Sequence, residues 1–316
     1  MTAALTISRV LAVPVRGGYF FDDQAAIRAG ATRDGVQYLG PTATAGFTQV
    51  REPAEAVSIL LGLSDGSTVV GDCATVQYAG VAGREPRLRA AELAAEIEVV
   101  GQGLIGRSVS RFREADAHAR ALCASLTHPR AGAYGMSQAL LAAAAHAAGH
   151  GVMAWVIQDE WRIGAPLSAL PLYAQSGESR YTNVDTMILK RVDVLPHGLI
   201  NTPDLVGRDG QTLVDYVAWV GERVDSLGGP DYRPRLHFDV YGMVGLAAGG
   251  DIGKTVEILV RLEKAAGRHP LQIEHPIDAG SRDGQIEAMR SIRLELAARG
   301  SSVRISPTSG PTTSTT

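Results

Sequence analysis

Cysteine is almost absent from this chain: Cys73 and Cys123 are the only two among 316 residues. They stand in neither a metal-binding spacing nor a disulfide framework, which excludes a zinc module and a disulfide scaffold and suits a reducing, cytoplasmic compartment. Lysine is nearly as scarce, since of the 30 Lys+Arg residues only Lys190, Lys254 and Lys264 are lysines. Charge of one sign is missing too. A net charge of -3 with the signs interspersed leaves no basic stripe for nucleic acid and no polybasic membrane anchor. Long apolar runs do not occur, because Ala139–Ala148 is too short to span a bilayer and contains His146. The opening MTAALTISRVLAVPV is interrupted by Arg9 and alternates like a first strand rather than a secretory leader. What is plentiful is hydrophobic residue, at 45%, enough for a sizeable core and two domains of a soluble globular protein.

Taken in order, Ile7–Val15 reads as a strand, followed by GGYFFDDQAAIRAGATRDGVQYLG, which has neither a helical nor a strand period and reads as a long, lid-like loop. Val57–Leu63 and Thr68–Ala74 flank the turn SDGS as a hairpin. The glycine-rich VQYAGVAGRE after it offers Gln77 and Tyr78 for contact, or merely serves the turn. Helical spacing then covers Arg87–Val100, Phe112–Ala124 and Ala133–Ala148, so the first 164 residues form an α+β domain. After a boundary near Gly164–Pro166 the pattern alternates. Strands are expected at Leu170–Ala174, Met187–Leu195, Arg235–Val240, Leu271–Glu274 and Ser302–Ile305, and helices at Gln211–Ser226, Ile252–Ala266 and Gly284–Arg299. Repeating βα order predicts parallel strands with a site at their C-terminal ends, an α/β barrel of the (β/α)8 type over residues 165–305. Too few residues follow the boundary to close eight strands. Residues 306–316, SPTSGPTTSTT, read as a disordered tail.

The chemistry concentrates on RLHFDVYG (Arg235–Gly242) and LQIEHP (Leu271–Pro276). Each ends a strand with a carboxylate, Asp239 and Glu274, and carboxylates on successive strand ends form half of an oxygen-lined site for a hard divalent ion such as Mg2+. Capping the next helix or pairing with arginine accounts equally well for such carboxylates. His237 is expected on the opposite face of its strand from Asp239, toward the helices, and His197, after Pro196, as a loop histidine. Cys73 belongs to the core.

The strings YFFDDQAAIRAGATRDGVQY, GFTQVRE, GDCATVQYAG, YAQSGESRYTNVDTMILKRVDVLPHGLIN, HFDVYG and QIEHP together resemble the methylaspartate ammonia-lyases of the enolase superfamily, from about Ile7 to Ile305. The resemblance implies an N-terminal capping domain, a (β/α) barrel, a homodimer, Mg2+ with a monovalent cation such as K+, and elimination of ammonia from threo-3-methylaspartate to give mesaconate. It assigns Asp239 and Glu274 as metal ligands, Gln175 and His197 as substrate-contacting residues with His197 able to transfer a proton, and Gln77 as a residue closing over the amino-dicarboxylate.

Two features of the family are not matched: an aspartate after strand five, in a segment like Val-Ala-Asp-Glu-Trp, and a lysine base after strand six. Read one base late, a GC-rich coding string for Val-Ala-Asp-Glu-Trp-Ala-Asn-Asn-Val-Asp-Asp gives the text of Ser306–Thr316, which points to a single-base slip after Ile305. The expectation for this chain is therefore a truncated barrel with exposed sheet edges, poor solubility and no lyase turnover. Another enolase-superfamily lyase or cycloisomerase, and a silent remnant that only binds metal or ligand, are the competing readings.

Overall fold

The computed structural model describes residues 4–79, 85–164, 168–177 and 179–307. The chain divides into two compact units, one running to Ser168 and the other starting at Ala169.

The first unit opens with β1 (Ile7–Asp22), α1 (Gln24–Arg28), β2 (Thr32–Asp34), β3 (Gln37–Leu39), β4 (Arg51–Leu63) and β5 (Thr68–Cys73). Strands β1, β4 and β5 form an antiparallel sheet in that order, and β2 pairs with β3. Helices α2 (Ala90–Gly101), α3 (Phe112–Cys123), α4 (Pro129–Ala147) and α5 (Ala154–Glu160) follow. Buried Ile59, Leu61, Leu93, Ile97, Met136 and Leu140 join sheet and helices in one core. Cys73 and Cys123 are both buried free thiols, and desolvation pushes them up to about 12 and about 11, so they remain protonated at neutral pH.

Gly71 of β5 and Gly135 of α4 let strand and helix touch backbone to backbone. A Cβ on Gly135 would lie 2.5 Å from the Cys73 sulfur and 2.7 Å from its amide nitrogen, and one on Gly71 would meet the Gly135 carbonyl.

The expected lid-like loop is corrected by the structure. Its first residues continue β1, with a bulge between Arg16 and Phe20 where two glycines break the period, and the remainder forms α1 and the β2–β3 hairpin. Asp23 organises this segment. Its carboxylate caps α1 by accepting from Ala26 N and accepts from Ala43 N, Thr44 N and Thr44 Oγ1 at 2.6–3.3 Å. Burial would push this carboxyl up, but those donors together outweigh it and hold the group below its ordinary value.

The second unit contains α6 (Arg180–Leu189), β6 (Val194–Leu199), α7 (Pro203–Val206), α8 (Gln211–Gly228), β7 (Arg235–Asp239), α9 (Met243–Ala247), α10 (Ile252–Ala265), β8 (Leu271–Glu274), α11 (Arg282–Ala298) and β9 (Arg304–Ser306). The four strands are parallel and adjacent in chain order. Parallel neighbours need a crossover, and the helices supply it. Leu213, Val217, Val220 and Val224 of α8 recur at helical spacing and bury against Leu236 and Phe238 of β7. The Tyr216 ring meets Phe238 edge-on at 5.7 Å. Even-numbered residues of β7 thus face the helices, and odd-numbered ones face the other side.

Three expectations shift here. Met187–Leu195 is not one strand, because Val184, Met187 and Ile188 follow the helical period of α6 and the strand starts at Val194. Leu170–Ala174 contributes only the single bridge Tyr173 to Val194, extended by Ala174 N to Val194 O and Ser176 N to Pro196 O. Finally, Ser306, assigned to the tail, is the last residue of β9, where it pairs with Glu274. Residues 308–316 of that expected tail lie outside the described residues.

Candidate active site

Register builds the site. Leu199, Asp239, Glu274 and Ser306 are partners across β6 to β9, so both carboxylates end their strands side by side on one layer. Two residues earlier along β7, β8 and β9, and so on the same face, His237, Gln272 and Arg304 form the layer beneath, with Pro196 as their partner in β6. A register shift between Pro196 and Gly198 inserts His197 as an extra residue in β6, and a bulge of this kind re-aims a side chain.

The re-aimed ring lies parallel to that of His237, at 3° and 4.7 Å between centroids, with the two Nδ1 atoms 2.8 Å apart. Two nitrogens at that distance share one proton, so both rings cannot be charged through them. Tyr173 meets both rings edge-on at 5.6 and 5.0 Å. His237 is fully buried, and its Nε2 lies 3.4 Å from Glu274 Oε2.

His237 therefore faces the carboxylates and not the helices, which corrects the expectation. It stands two residues before Asp239, and in a strand residues two apart share a face. The parity was available in the sequence. The part played by Tyr173 and the bulge at His197 was not, because neither leaves a pattern in one strand's own residues.

Electrostatics follow from this packing. Burial, aided by repulsion from His237, holds the His197 imidazole below its ordinary value of 6.5, with Glu274 pulling weakly the other way. His197 is thus neutral at pH 7. Glu274 is held below the usual carboxylate range, first by the His237 imidazole, with burial opposing and His197 and His275 adding. Burial and the charges of Glu274 and Asp239 push the Tyr173 hydroxyl up. The sign for stability is definite: folding lowers the His197 value, so the unfolded chain binds that proton first, and stability falls as pH drops through about 6.5. Thermal melts between pH 7.5 and 5.5 are expected to show this decline, with a shallower slope in His197→Gln; equal slopes would contradict it.

Three left-handed residues that carry side chains lie in or just beyond strands of this unit. His197 has φ 42°, Tyr241 beyond β7 has φ 48°, and His275 beyond β8 has φ 53°. The HFDVYG string ends as it does because Gly242, at φ 76°, approaches Asp278 so closely that a Cβ would sit 2.7 Å from the Asp278 Cβ. Asp239 is buried and its Oδ1 accepts from Tyr241 N at 3.3 Å.

Of the remaining candidates, Gln175 is exposed on the segment that runs beside β6. Gln77 belongs to the first unit, where it is half-buried and not freely presented. Its Nε2 donates to Asp22 Oδ2 at 2.6 Å, and the same carboxylate takes a bidentate pair of hydrogen bonds from Arg51 at 2.7 Å each. Arg51 and Asp22 are both buried, with the guanidinium over the Phe20 and Tyr38 rings. Residues 80–84 of the glycine-rich loop lie outside the described residues. No lysine stands at the strand ends: Lys190 caps α6, and Lys254 and Lys264 sit on α10.

The parallel βα unit, with its strands in chain order, makes this an α/β protein with an enolase-like fold. The fold of muconate cycloisomerase from Pseudomonas fluorescens is similar, with TM-score 0.54 at 16% identity over 96% of this chain and 65% of that one. Within that class the chain belongs to the methylaspartate ammonia-lyase family. Its residues 5–162 match the family's N-terminal profile and 165–307 the C-terminal one. It is 44% identical over 308 residues to methylaspartate ammonia-lyase 1 of Carboxydothermus hydrogenoformans, covering 95% of this chain and 72% of the relative. The enzyme of Clostridium tetanomorphum is 43% identical over 300 residues, 94% of this chain and 72% of the relative. Among solved structures, Citrobacter amalonaticus methylaspartate ammonia-lyase containing (2S,3S)-3-methylaspartic acid gives TM-score 0.91 at 42% identity, over 96% of this chain and 74% of that one. The Mg complex of β-methylaspartase from Clostridium tetanomorphum gives 0.86 at 40%, over 96% and 75%.

Proposed function

We infer that the strand ends of the second unit form a methylaspartate ammonia-lyase site, eliminating ammonia from threo-3-methylaspartate to give mesaconate. The observation that carries this reading is the in-register pair Asp239 and Glu274 beside the re-aimed His197. Asp239 and Glu274 supply hard oxygens suited to Mg2+ and are the residues that would hold it. Bound there, Mg2+ supplies positive charge where the substrate carboxylate turns enolate-like on loss of the α-proton.

Every other role belongs to side chains. His197, neutral at pH 7, accepts a proton or hydrogen-bonds the substrate carboxylate through its ring nitrogen. Gln175 and Gln77 offer amide groups to the carboxylate and ammonium groups of an amino-dicarboxylate. The Asp22–Arg51 pair holds the Gln77 side chain by its amide nitrogen. The first unit acts as a cap, residues from 165 as part of a (β/α) barrel, K+ as a stimulating ion, a second copy as the partner in a homodimer, and the cytoplasm as the compartment, which the two free buried thiols suit.

Calorimetry of the purified chain with Mg2+ and 3-methylaspartate tests the site without requiring turnover. Saturable binding of both is expected, with Mg2+ affinity at least about 10-fold weaker in Asp239→Asn. A folded wild-type chain that gives no heat with either ligand would overturn the assignment. The placement of Lys190, Lys254 and Lys264 on or beside helices favours a second reading, in which this polypeptide binds the pair of ligands and does not turn over.

A further inference from the structure

The side-chain amide of a glutamine has one end that donates and one that accepts, and its neighbours decide which way it faces. Gln77 is tied twice to Asp22 of β1. Its backbone carbonyl accepts from Asp22 N at 2.9 Å, and its side chain meets Asp22 Oδ2 at 2.6 Å. A carboxylate only accepts. Turned over, the amide would set its oxygen against a carboxylate oxygen at that distance with no proton between them. Nε2 therefore faces Asp22 and Oε1 faces away, and among the described residues nothing donates to Oε1.

Asp22 itself cannot swing. It is the cross-strand partner of Arg51 in the β1–β4 ladder, and Arg51 Nε and Nη2 each donate at 2.7 Å to a different oxygen of its carboxylate. Arg51 is in turn fixed by donating from Nη1 to Val36 O at 2.8 Å, in the turn between β2 and β3, and by lying over the Phe20 and Tyr38 rings at 5.3 and 4.8 Å. The Arg51 and Asp22 side chains are 5% and 1% exposed. The ladder alone requires no third partner, yet Oδ2 also takes the amide of a residue that lies beyond β5.

We propose that Asp22, braced by Arg51, is a positioning residue for the substrate: it locks the Gln77 amide with its oxygen outward, so that Gln77 meets a ligand as an acceptor only. An acceptor favours a ligand N–H and opposes a carboxylate. The lock thus sets a preference for dicarboxylates that carry an ammonium group over the same skeleton without one. The inference rests on the reading above, in which Gln77 contacts the amino-dicarboxylate. Asp22→Asn keeps the size of the side chain but offers an N–H as well as an oxygen, which lets the Gln77 amide turn over.

Calorimetry of the Mg2+-loaded 316-residue chain with 3-methylaspartate and with mesaconate, which lacks the ammonium group, tests the lock. Asp22→Asn is expected to weaken 3-methylaspartate at least about 10-fold, the scale of a hydrogen bond to a charged group, and mesaconate by less than about 2-fold. A role in stability alone would weaken both ligands alike. In a Gln77→Ala background Asp22→Asn is expected to add nothing further, since the two act through one contact. Should Asp22→Asn unfold, NMR of wild type with isotope-labelled glutamines supplies the readout. The Gln77 side-chain signal, identified by its loss in Gln77→Ala, is expected to exchange its amide protons slowly with water, with and without ligand. Equal weakening of the two ligands or none in folded Asp22→Asn, or fast exchange in wild type, overturns the lock while leaving the lyase reading intact. A folded wild-type chain that binds neither ligand overturns that reading and this inference with it.

Discussion

Mesaconate formation by the 316-residue chain is expected to fall at least about 10²- to 10⁴-fold below that of the Citrobacter amalonaticus enzyme assayed beside it, the range that a positioned general base contributes. The reasoning is local. A proton α to a carboxylate is weakly acidic and needs a base held over it, and the three lysines of this chain stand on or beside helices. His197 is neutral but is tied through Nδ1 to His237, leaving one nitrogen for all acid and base work. Absorbance of the conjugated product under saturating Mg2+ and K+ measures the rate directly. Turnover at a rate comparable to that of the Citrobacter enzyme would show that His197, or another group at this site, suffices as base.

The second large effect is on stability. Gly135→Ala gains up to about 1 kcal/mol of helix propensity in α4. Against that, its new methyl would sit 2.7 and 2.8 Å from the Cys73 nitrogen and the Asp72 carbonyl carbon, backbone atoms of a paired strand that cannot step aside. With backbone atoms on the far side, the cost falls at the upper end of the roughly 1–3 kcal/mol typical of overpacking, about 3 kcal/mol. Less the propensity gain this leaves about 2 kcal/mol, which at about 2–4 °C per kcal/mol lowers the melting temperature by roughly 4–8 °C. Gly18→Ala, where nothing lies within 4 Å of the new carbon, is the control and leaves the melt unchanged. A Gly135→Ala chain that melts with wild type would mean that β5 and α4 part more easily than their packing implies.

Much of this molecule was legible in its sequence because burial writes a period. The β4–β5 hairpin, α8, α10, β7, β8 and α11 appear within a few residues of where alternation or helical spacing places them. Asp239 and Glu274 were visible for the same reason, as polar residues where an apolar strand stops. The segment from Gly17 was misread because a bulge removes the period exactly where two glycines already weaken it. Leu170–Ala174 looks like a strand, yet only Tyr173 bridges to a neighbour, since a ladder is made by the partner as much as by the strand. His237 is the opposite case: it lies two residues from Asp239 in β7, so strand alternation alone puts both on one face. The stacking of His197 on His237 is a tertiary product of the bulge, with no trace in either residue's surroundings along the chain.

The left-handed residues at His197, Tyr241 and His275 make the strand tips a store of tension. Each such conformation costs of order 1–3 kcal/mol for a residue with a side chain, and the surrounding structure must hold it. Glycine at 241 or 275 would relax the chain and strengthen the fold, yet it would also free the segments that carry Asp239 and Glu274. Robustness and the aim of the two carboxylates are therefore set against each other at the same few backbone angles.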